Sequence, residues 1–224
     1  MGNLCGFEQR GPFDRSSHAP LPVPTEWKPN FPDPFGRGNI VRVPEDQPTL
    51  ACAIKAAQEG DRVLVAAGLY CETLLVDKAL EIVGLGTRPA DVCMKAIGAT
   101  ALTVCSRATC RLENIKLVVC NSDRSNQNHC VENSKGCSLQ IERCVLEGGH
   151  SGMVNRGLAV LVQSEVRGCE GAGVQSVERS QLWMLQCNLH SHNKGLVLQV
   201  LAKLPSPSTS CGNLLCEQHL MLTD

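Results

Sequence analysis

From Asn39 onward the chain is built of short stretches in which apolar and polar positions alternate. Asn39-Ile40-Val41-Arg42-Val43 has the two-residue period of a strand and stops at Pro44, which has no N–H to give to a ladder. Leu50, Ala53, Ile54 and Ala57 then recur at i, i+3, i+4 and i+7, the stripe of one short amphipathic helix closed by Gly60. No helical period follows Gly60. Instead, Asp61-Arg62-Val63-Leu64-Val65, Glu72-Thr73-Leu74-Leu75-Val76 and Leu80-Glu81-Ile82-Val83 read as strands, followed by the pairs Val92/Met94, Leu102/Val104 and Cys110/Leu112.

Beyond residue 110 the alternation repeats as a unit. Leu139-x-Ile141-x-x-Cys144-x-Leu146 matches Ala159-x-Leu161-x-x-Ser164-x-Val166 and Leu182-x-Met184-x-x-Cys187-x-Leu189, with Cys110-x-Leu112-x-x-Ile115-x-Leu117 as an earlier copy. Anchors 144, 164 and 187 lie 20 and 23 residues apart, and the 29 residues between 115 and 144 include the polar loop Asn121 to His129. A period of about 22 residues without helices is that of a β-solenoid, whose turns bury their inward faces only by stacking. Each unit is expected to hold two strands joined by a bend at the x-x step, with Cys144, Ser164 and Cys187 filling one crowded corner. Asp61 to Val200 accommodates roughly six such turns, and the helix around Leu50 to Ala57 is placed to cover the open N-terminal end.

The stretch Val43-Pro44-Glu45-Asp46-Gln47-Pro48-Thr49-Leu50, Ala53-Ile54-x-Ala56-Ala57, Gly60-Asp61-x-Val63-x-Val65, Gly68-x-Tyr70-x-Glu72, Lys78-x-Leu80-x-Ile82-x-Gly84-x-Gly86 resembles the opening turns of right-handed parallel β-helix domains of the pectin-lyase-like superfamily. More narrowly it is similar to the CASH repeat domains found in NosD-type copper-site accessory proteins and in F-box β-helix proteins. With the later, weaker repeats the resemblance covers about residues 40 to 200. It implies an all-β fold: a right-handed, single-stranded parallel β-helix of three sheets with a short N-terminal capping α-helix.

Composition sharpens this picture. Among 224 residues there are 14 cysteines, and aromatics make up only 3%. No two cysteines form C-x-x-C, and Met1-Gly2-Asn3-Leu4-Cys5 has no basic, apolar leader, so a reduced, cytosolic setting is expected with cysteine used as a small hydrophobe rather than in disulfides. A net charge of −1 offers no global attraction for nucleic acid or an anionic membrane. Residues 1–38 form an arm broken by Pro12, Pro20, Pro22, Pro24, Pro29, Pro32 and Pro34. It holds every phenylalanine (Phe7, Phe13, Phe31, Phe35) and Trp27, leaving Tyr70 and Trp183 for the rest. Such an arm is expected to dock its aromatics, either along its own domain or on a partner. The β-helix domain is expected over 39–204 with its cap helix at about 49–59. A linker and tail occupy 205–224, in which Leu214 to Leu222 forms either a short helix or a strand.

The chemistry is sparse. Relatives within the resembled superfamily include polyuronide hydrolases and lyases, but glycoside hydrolysis needs two carboxylates across one bond, and no Asp lies between residues 130 and 200. Glu142, Glu165 and Glu170 lie there without an Asp-Asp pair, and Gly149-His150-Ser151-Gly152 reads as a turn. His190 and His192, two apart and near Cys187, are weak metal-ligand candidates, and no cofactor is implied. Gly2 and Cys5 are positioned for myristoylation and palmitoylation, although Gly6 stands where the motif prefers Ser or Thr. The leading expectation is a non-catalytic scaffold or protein-interaction module that uses the arm and the sheet faces. Such a rod suits a cytosolic, cytoskeletal or ciliary assembly, and would touch membrane only if acylated. The alternatives are a carbohydrate-binding or carbohydrate-processing β-helix protein and a lipid-anchored adaptor.

Overall fold

A computed structural model describes residues 32, 34, 35, 38–120, 127–177 and 179–198. Among the described residues nineteen strands form three parallel sheets, and successive strands in the chain visit the sheets in rotation. Sheet A contains Ile40–Val43, Asp61–Val65, Leu80–Gly84, Thr109–Glu113, Ser138–Glu142, Leu158–Val162 and Gln181–Leu185. Sheet B runs from Gly68–Tyr70 through Val92–Ile97, Lys116–Cys120, Val145–Gly148 and Glu165–Arg167 to Asn188–His190. Sheet C runs from Leu74–Val76 through Leu102–Val104, His129–Asn133, Ser151–Asn155 and Ala172–Ser176 to Lys194–Leu198. After the lone first strand, six coils each contribute one strand to A, B and C. The protein is a parallel β-helix.

The repeat anchors mark one physical corner. Asn114, Arg143, Gln163 and Gln186, the second x of each x-x step, all take left-handed backbone (φ 55°, 50°, 48° and 53°) and turn the chain from sheet A into sheet B. The N–H groups of Asn114, Arg143 and Gln163 donate to Glu142, Val162 and Leu185 of the following coil. The bend therefore loses no ladder bond, which offsets the strain of non-glycine residues in this region. At Asn114 the next residue is the buried Ile115, and at the other three it is a small one with a donor: Ser164 Oγ bonds the Val162 carbonyl at 2.8 Å, and Cys144 Sγ and Cys187 Sγ approach the Glu142 and Leu185 carbonyls at 3.2 and 3.5 Å. Cysteine is used here as a compact corner filler, and every thiol among the described residues is free.

Inward side chains stack in register. One row runs Val63, Ile82, Leu112, Ile141, Leu161, Met184, and another Leu80, Cys110, Leu139, Ala159, Leu182. On sheet C the row Leu74, Leu102, Val131, Met153, Val174 is wholly buried. A second sheet C row changes character along the axis, from Val76 and Val104 to Asn133, Asn155 and Ser176. Asn133 Nδ2 donates to Asn155 Oδ1 (2.8 Å) and to the Leu158 carbonyl (3.0 Å). Asn155 Nδ2 donates to Ser176 Oγ (3.3 Å) and to the Gln181 carbonyl (2.9 Å), while Asn155 Oδ1 accepts from Gly157 N–H (3.1 Å). This ladder satisfies backbone groups at the corner leading back to sheet A.

The cap helix spans Leu50–Ala56, inside the expected 49–59 interval; at Ala57 the backbone is already extended (ψ 147°). Thr49 caps it, accepting from Cys52 N–H at 3.1 Å. Two charged residues, Glu72 and Lys78, clamp its ends. Glu72, expected inside a strand, accepts from Leu50 and Ala51 N–H at 3.0 and 2.8 Å, and the strand begins only at Leu74. Lys78 Nζ donates to the Ile54 and Ala57 carbonyls at 3.3 and 3.1 Å. A negative group at the N-terminus and a positive one at the C-terminus both suit the helix dipole.

Candidate interaction surfaces

Because the interior is filled by packing, the chemistry available to other molecules lies on the outer walls. On sheet A the outward row Arg62, Glu81, Arg111, Gln140, Val160, Trp183 runs beside Leu64, Val83, Glu113, Glu142, Val162, Leu185. The N-terminal half of this wall is an ion-pair lattice. Arg62 pairs with Glu81, and Arg111 reaches Glu81 (3.3 Å), Glu142 (3.1 Å) and Glu113 (3.7 Å). Arg143 holds Glu113 and also Glu142 (3.1 Å). The C-terminal half carries Val160, Val162, Leu185 and Trp183, of which Val160 and Val162 are buried and Leu185 is half-buried. Trp183 points outward and is 39% exposed.

Sheet B carries a second charged ladder: Lys116 to Glu147 (3.1 Å), Arg167 to Glu147 (2.6 Å) and Glu165 (3.1 Å), and His190 Nε2 to Glu165 (2.7 Å). Burial pushes Glu147 up, but hydrogen bonds from Arg167 and Lys116 outweigh it and hold the carboxyl below its usual 4.5. Glu165 behaves likewise, with burial opposed by His190 and Arg167. On sheet C, Arg156 pairs with Glu132 at 2.6 Å.

The fold creates a carboxylate pair that the sequence conceals, since Glu113 and Glu142 are 29 residues apart in the chain and adjacent in register. Arg111 and Arg143 bracket both, so each carboxylate is ion-paired to two guanidinium groups.

His190 and His192 do not share a face. Ser191 sits in left-handed backbone (φ 61°) at the corner from sheet B to sheet C and turns the two rings apart. His190 stays on the wall against Glu165. His192 folds into the corner, where Nδ1 accepts from Cys169 N–H (3.2 Å) and Nε2–H donates to the Val166 carbonyl (3.0 Å). Both ring nitrogens are thus engaged with backbone. The absence of a side chain on Gly173 makes room for the ring, as a Cβ there would lie 2.7 Å from Nε2. Cys187 occupies the other corner, and burial pushes its thiol up to about 11. Burial likewise raises Cys110 and Cys144 to about 12. Such thiols stay protonated at neutral pH, whereas metal ligation and nucleophilic attack need the thiolate. Among the described residues no group of three or more His, Cys, Asp or Glu side chains is arranged to hold a metal ion.

Two half-buried imidazoles set a pH dependence. His129, whose ring packs edge-on to His150 at 6.1 Å, is pushed below its ordinary 6.5 chiefly by burial, with His150 and Arg156 adding to this and Glu132 opposing it. His192 is lowered chiefly by burial, against its bond to Val166. The folded protein therefore resists protons that the unfolded chain accepts, and stability is expected to fall as pH drops through 6.5. A second loss is expected below about 4.5, as the depressed Glu147 and Glu165 protonate. Urea unfolding between pH 7.5 and 5.5 checks the first window. The midpoint should drop, and His192→Asn, which keeps an acceptor for Cys169 N–H but does not titrate, should lessen the drop.

Of the other residues nominated from the sequence, Phe35 is half-buried. Phe7, Phe13, Trp27, Phe31, Gly2, Cys5 and the 205–224 tail lie outside the described residues. No described helix is long and apolar enough to cross a membrane.

Fold and surfaces together define a parallel β-helix repeat protein with salt-bridged outer walls. Among known proteins, the chain is similar to the SHC SH2 domain-binding protein 1 homologs A and B of Xenopus laevis, each 26% identical over 155 residues. These matches take in 66% of this chain and 21% of each relative, so the chain spans about a fifth of their length. Of solved structures, the crystal structure of Escherichia coli YbhC is similar over 75% of this chain and 59% of that one, with 14% identity and a TM-score of 0.45. No family model matches.

Proposed function

We propose that this protein is a non-catalytic β-helix scaffold that binds protein partners through its outer walls and through the arm residues Phe7, Phe13, Trp27, Phe31 and Phe35. The observation that carries this reading is the division of labour in the coils. Inward side chains are consumed by stacking, and the outward carboxylates Glu81, Glu113, Glu132, Glu142, Glu147 and Glu165 are each held by a cation. What faces outward is a rigid, patterned wall suited to recognition. The name of the Xenopus relatives, SHC SH2 domain-binding protein, agrees with a role in protein binding. A cytoskeletal or ciliary assembly would suit such a rod, and acylation of Gly2 and Cys5 would add a membrane anchor that intact mass measurement of the native N-terminus reveals.

An SHC SH2 domain is the first partner to test, by calorimetric titration into the full chain. Saturable binding is expected, weakened about tenfold or more when Phe7, Phe13, Trp27 and Phe31 are changed together to alanine, the scale of losing an aromatic anchor. Binding unaffected by those changes removes the arm from the reading. A carbohydrate-binding reading retains one observation, the outward Trp183 on the wall that carries Gln140 and Glu142. Cleavage of a polyuronide by the purified protein would overturn the non-catalytic assignment.

A further inference from the structure

The corners that lead from sheet C back to sheet A differ in charge from the walls. On the walls Arg62, Arg111, Arg143 and Arg167 each hold a carboxylate. Successive corners carry Arg107, Lys135, Arg156 and Arg179, all exposed. Arg156 holds Glu132 at 2.6 Å, whereas Arg107, Lys135 and Arg179 make no ion pair among the described residues. Asp77 stands one corner earlier, next to a Lys78 already committed to the cap helix, and Glu178 lies outside the described residues.

A recurring turn presents these cations. Ala108, Cys137 and Ser180 N–H donate to the Cys105, Ser134 and Val177 carbonyls (2.9, 3.1 and 3.1 Å). The third position of each turn takes left-handed backbone: Arg107 (φ 61°), Gly136 (φ 80°) and Arg179 (φ 62°). Glycine adopts that conformation freely and a residue with a Cβ does so at a cost. An exposed arginine gains little burial to offset the cost, so what it contributes at two of these tips is charge. The Arg107 stem lies over the next coil, where a Cβ on Gly136 would be 3.5 Å from Arg107 Cγ.

With coils about 4.8 Å apart, the three steps from Arg107 to Arg179 cover about 14 Å. A row of cations suits a row of anions, whereas a single phosphate needs donors converging on one point. An extended polypeptide sets its same-side side chains about 6.8 Å apart, a spacing that long arginine and lysine stems can follow. Thr109 and Ser138, half-buried and in register on the adjoining edge of sheet A, add hydroxyl donors for carboxylates. None of these residues offers a nucleic acid base a ring to stack on.

We infer that this corner is a docking ridge for an acidic, extended segment of a partner protein, whose Asp and Glu side chains pair with Arg107, Lys135 and Arg179 along the rod. The inference rests on the protein-binding reading above, but it uses neither the arm nor an SH2 domain, so the two titrations fail separately.

Fluorescence polarisation tests it, with the full chain titrated into a labelled polyglutamate peptide of about eight residues, long enough to span the ridge when extended. Saturable binding is expected, weakening about tenfold between roughly 0.03 and 0.15 M salt as exposed pairs are screened. R107G/K135Q/R179G should bind about tenfold less tightly. It should also resist urea as well as the wild type, because glycine suits both left-handed sites. K55Q/K95Q/K194Q, which removes the same charge elsewhere, and R107K/R179K, which keeps the charge in place, should each bind within about twofold of the wild type. Absence of saturable binding overturns the proposal, as do equal losses in the two triple variants. Tighter binding of a thymidylate oligonucleotide or a heparin fragment of matching charge does so too, because the ridge then serves another class of polyanion.

Discussion

An Asn155→Ala protein is expected to unfold about 2–5 kcal/mol more readily than the wild type in urea. The change deletes no large apolar volume. It removes the acceptor for Gly157 N–H and the donor for the Gln181 carbonyl, leaving two part-buried backbone groups unpaired at about 1–3 kcal/mol each. Asn133 would also lose its bond to Asn155 Oδ1, though its Nδ2 keeps the Leu158 carbonyl. Asn155→Asp separates shape from hydrogen bonding. It retains an acceptor but no donor and buries a charge, so it should cost at least as much as alanine. A loss below about 1 kcal/mol for the alanine variant would mean that the ladder satisfies nothing solvent could not satisfy.

Ile141→Ala is expected to have a comparable effect, about 2–5 kcal/mol, by a different route. Its side chain is fully buried between Leu112 and Leu161, so truncation opens a cavity in a stack whose neighbours are held by their own coils. The loss should be local before it is global. Hydrogen exchange should rise first in Thr109–Glu113, Ser138–Glu142 and Leu158–Val162, and the first coils, which share no contact with residue 141, should respond last. Uniform acceleration across all coils would argue for a single cooperative unit in place of nearest-neighbour stacking.

These two residues also show where the sequence was legible. Ile141 belongs to the alternating pattern that exposes sheets A and B, because its neighbours are polar and outward and its repeat partners, Leu112 and Leu161, are apolar. Asn155 belongs to sheet C, whose strands beyond residue 110 the residue pattern missed. Ser151–Asn155 is buried at every position and its inward row changes from valine to asparagine, so no alternation of hydrophobicity survives. The available signal was spacing: Asn133, Asn155 and Ser176 recur at 22 and 21 residues, the solenoid period, but in polar residues that an apolar template passes over. Glu72 and Lys78 were missed for a related reason. Their role lies across the coil, on the ends of a helix 21 to 24 residues earlier.

Alternation and the repeat of about 22 residues are local properties that accumulate along the chain, so the sequence by itself determined a stacked β-helix, its roughly six coils, the small corner residues Cys144, Ser164 and Cys187 and the helix at the N-terminal end. Tertiary structure decided which residues, a full coil apart, stand side by side. It set Glu113 beside Glu142, aimed Trp183 outward, and parted His190 from His192 through one left-handed residue at Ser191. The reason is register. In a parallel ladder a side chain's neighbours are set by the backbone bonds between coils and by the hand of single corner residues, neither of which hydrophobic period encodes.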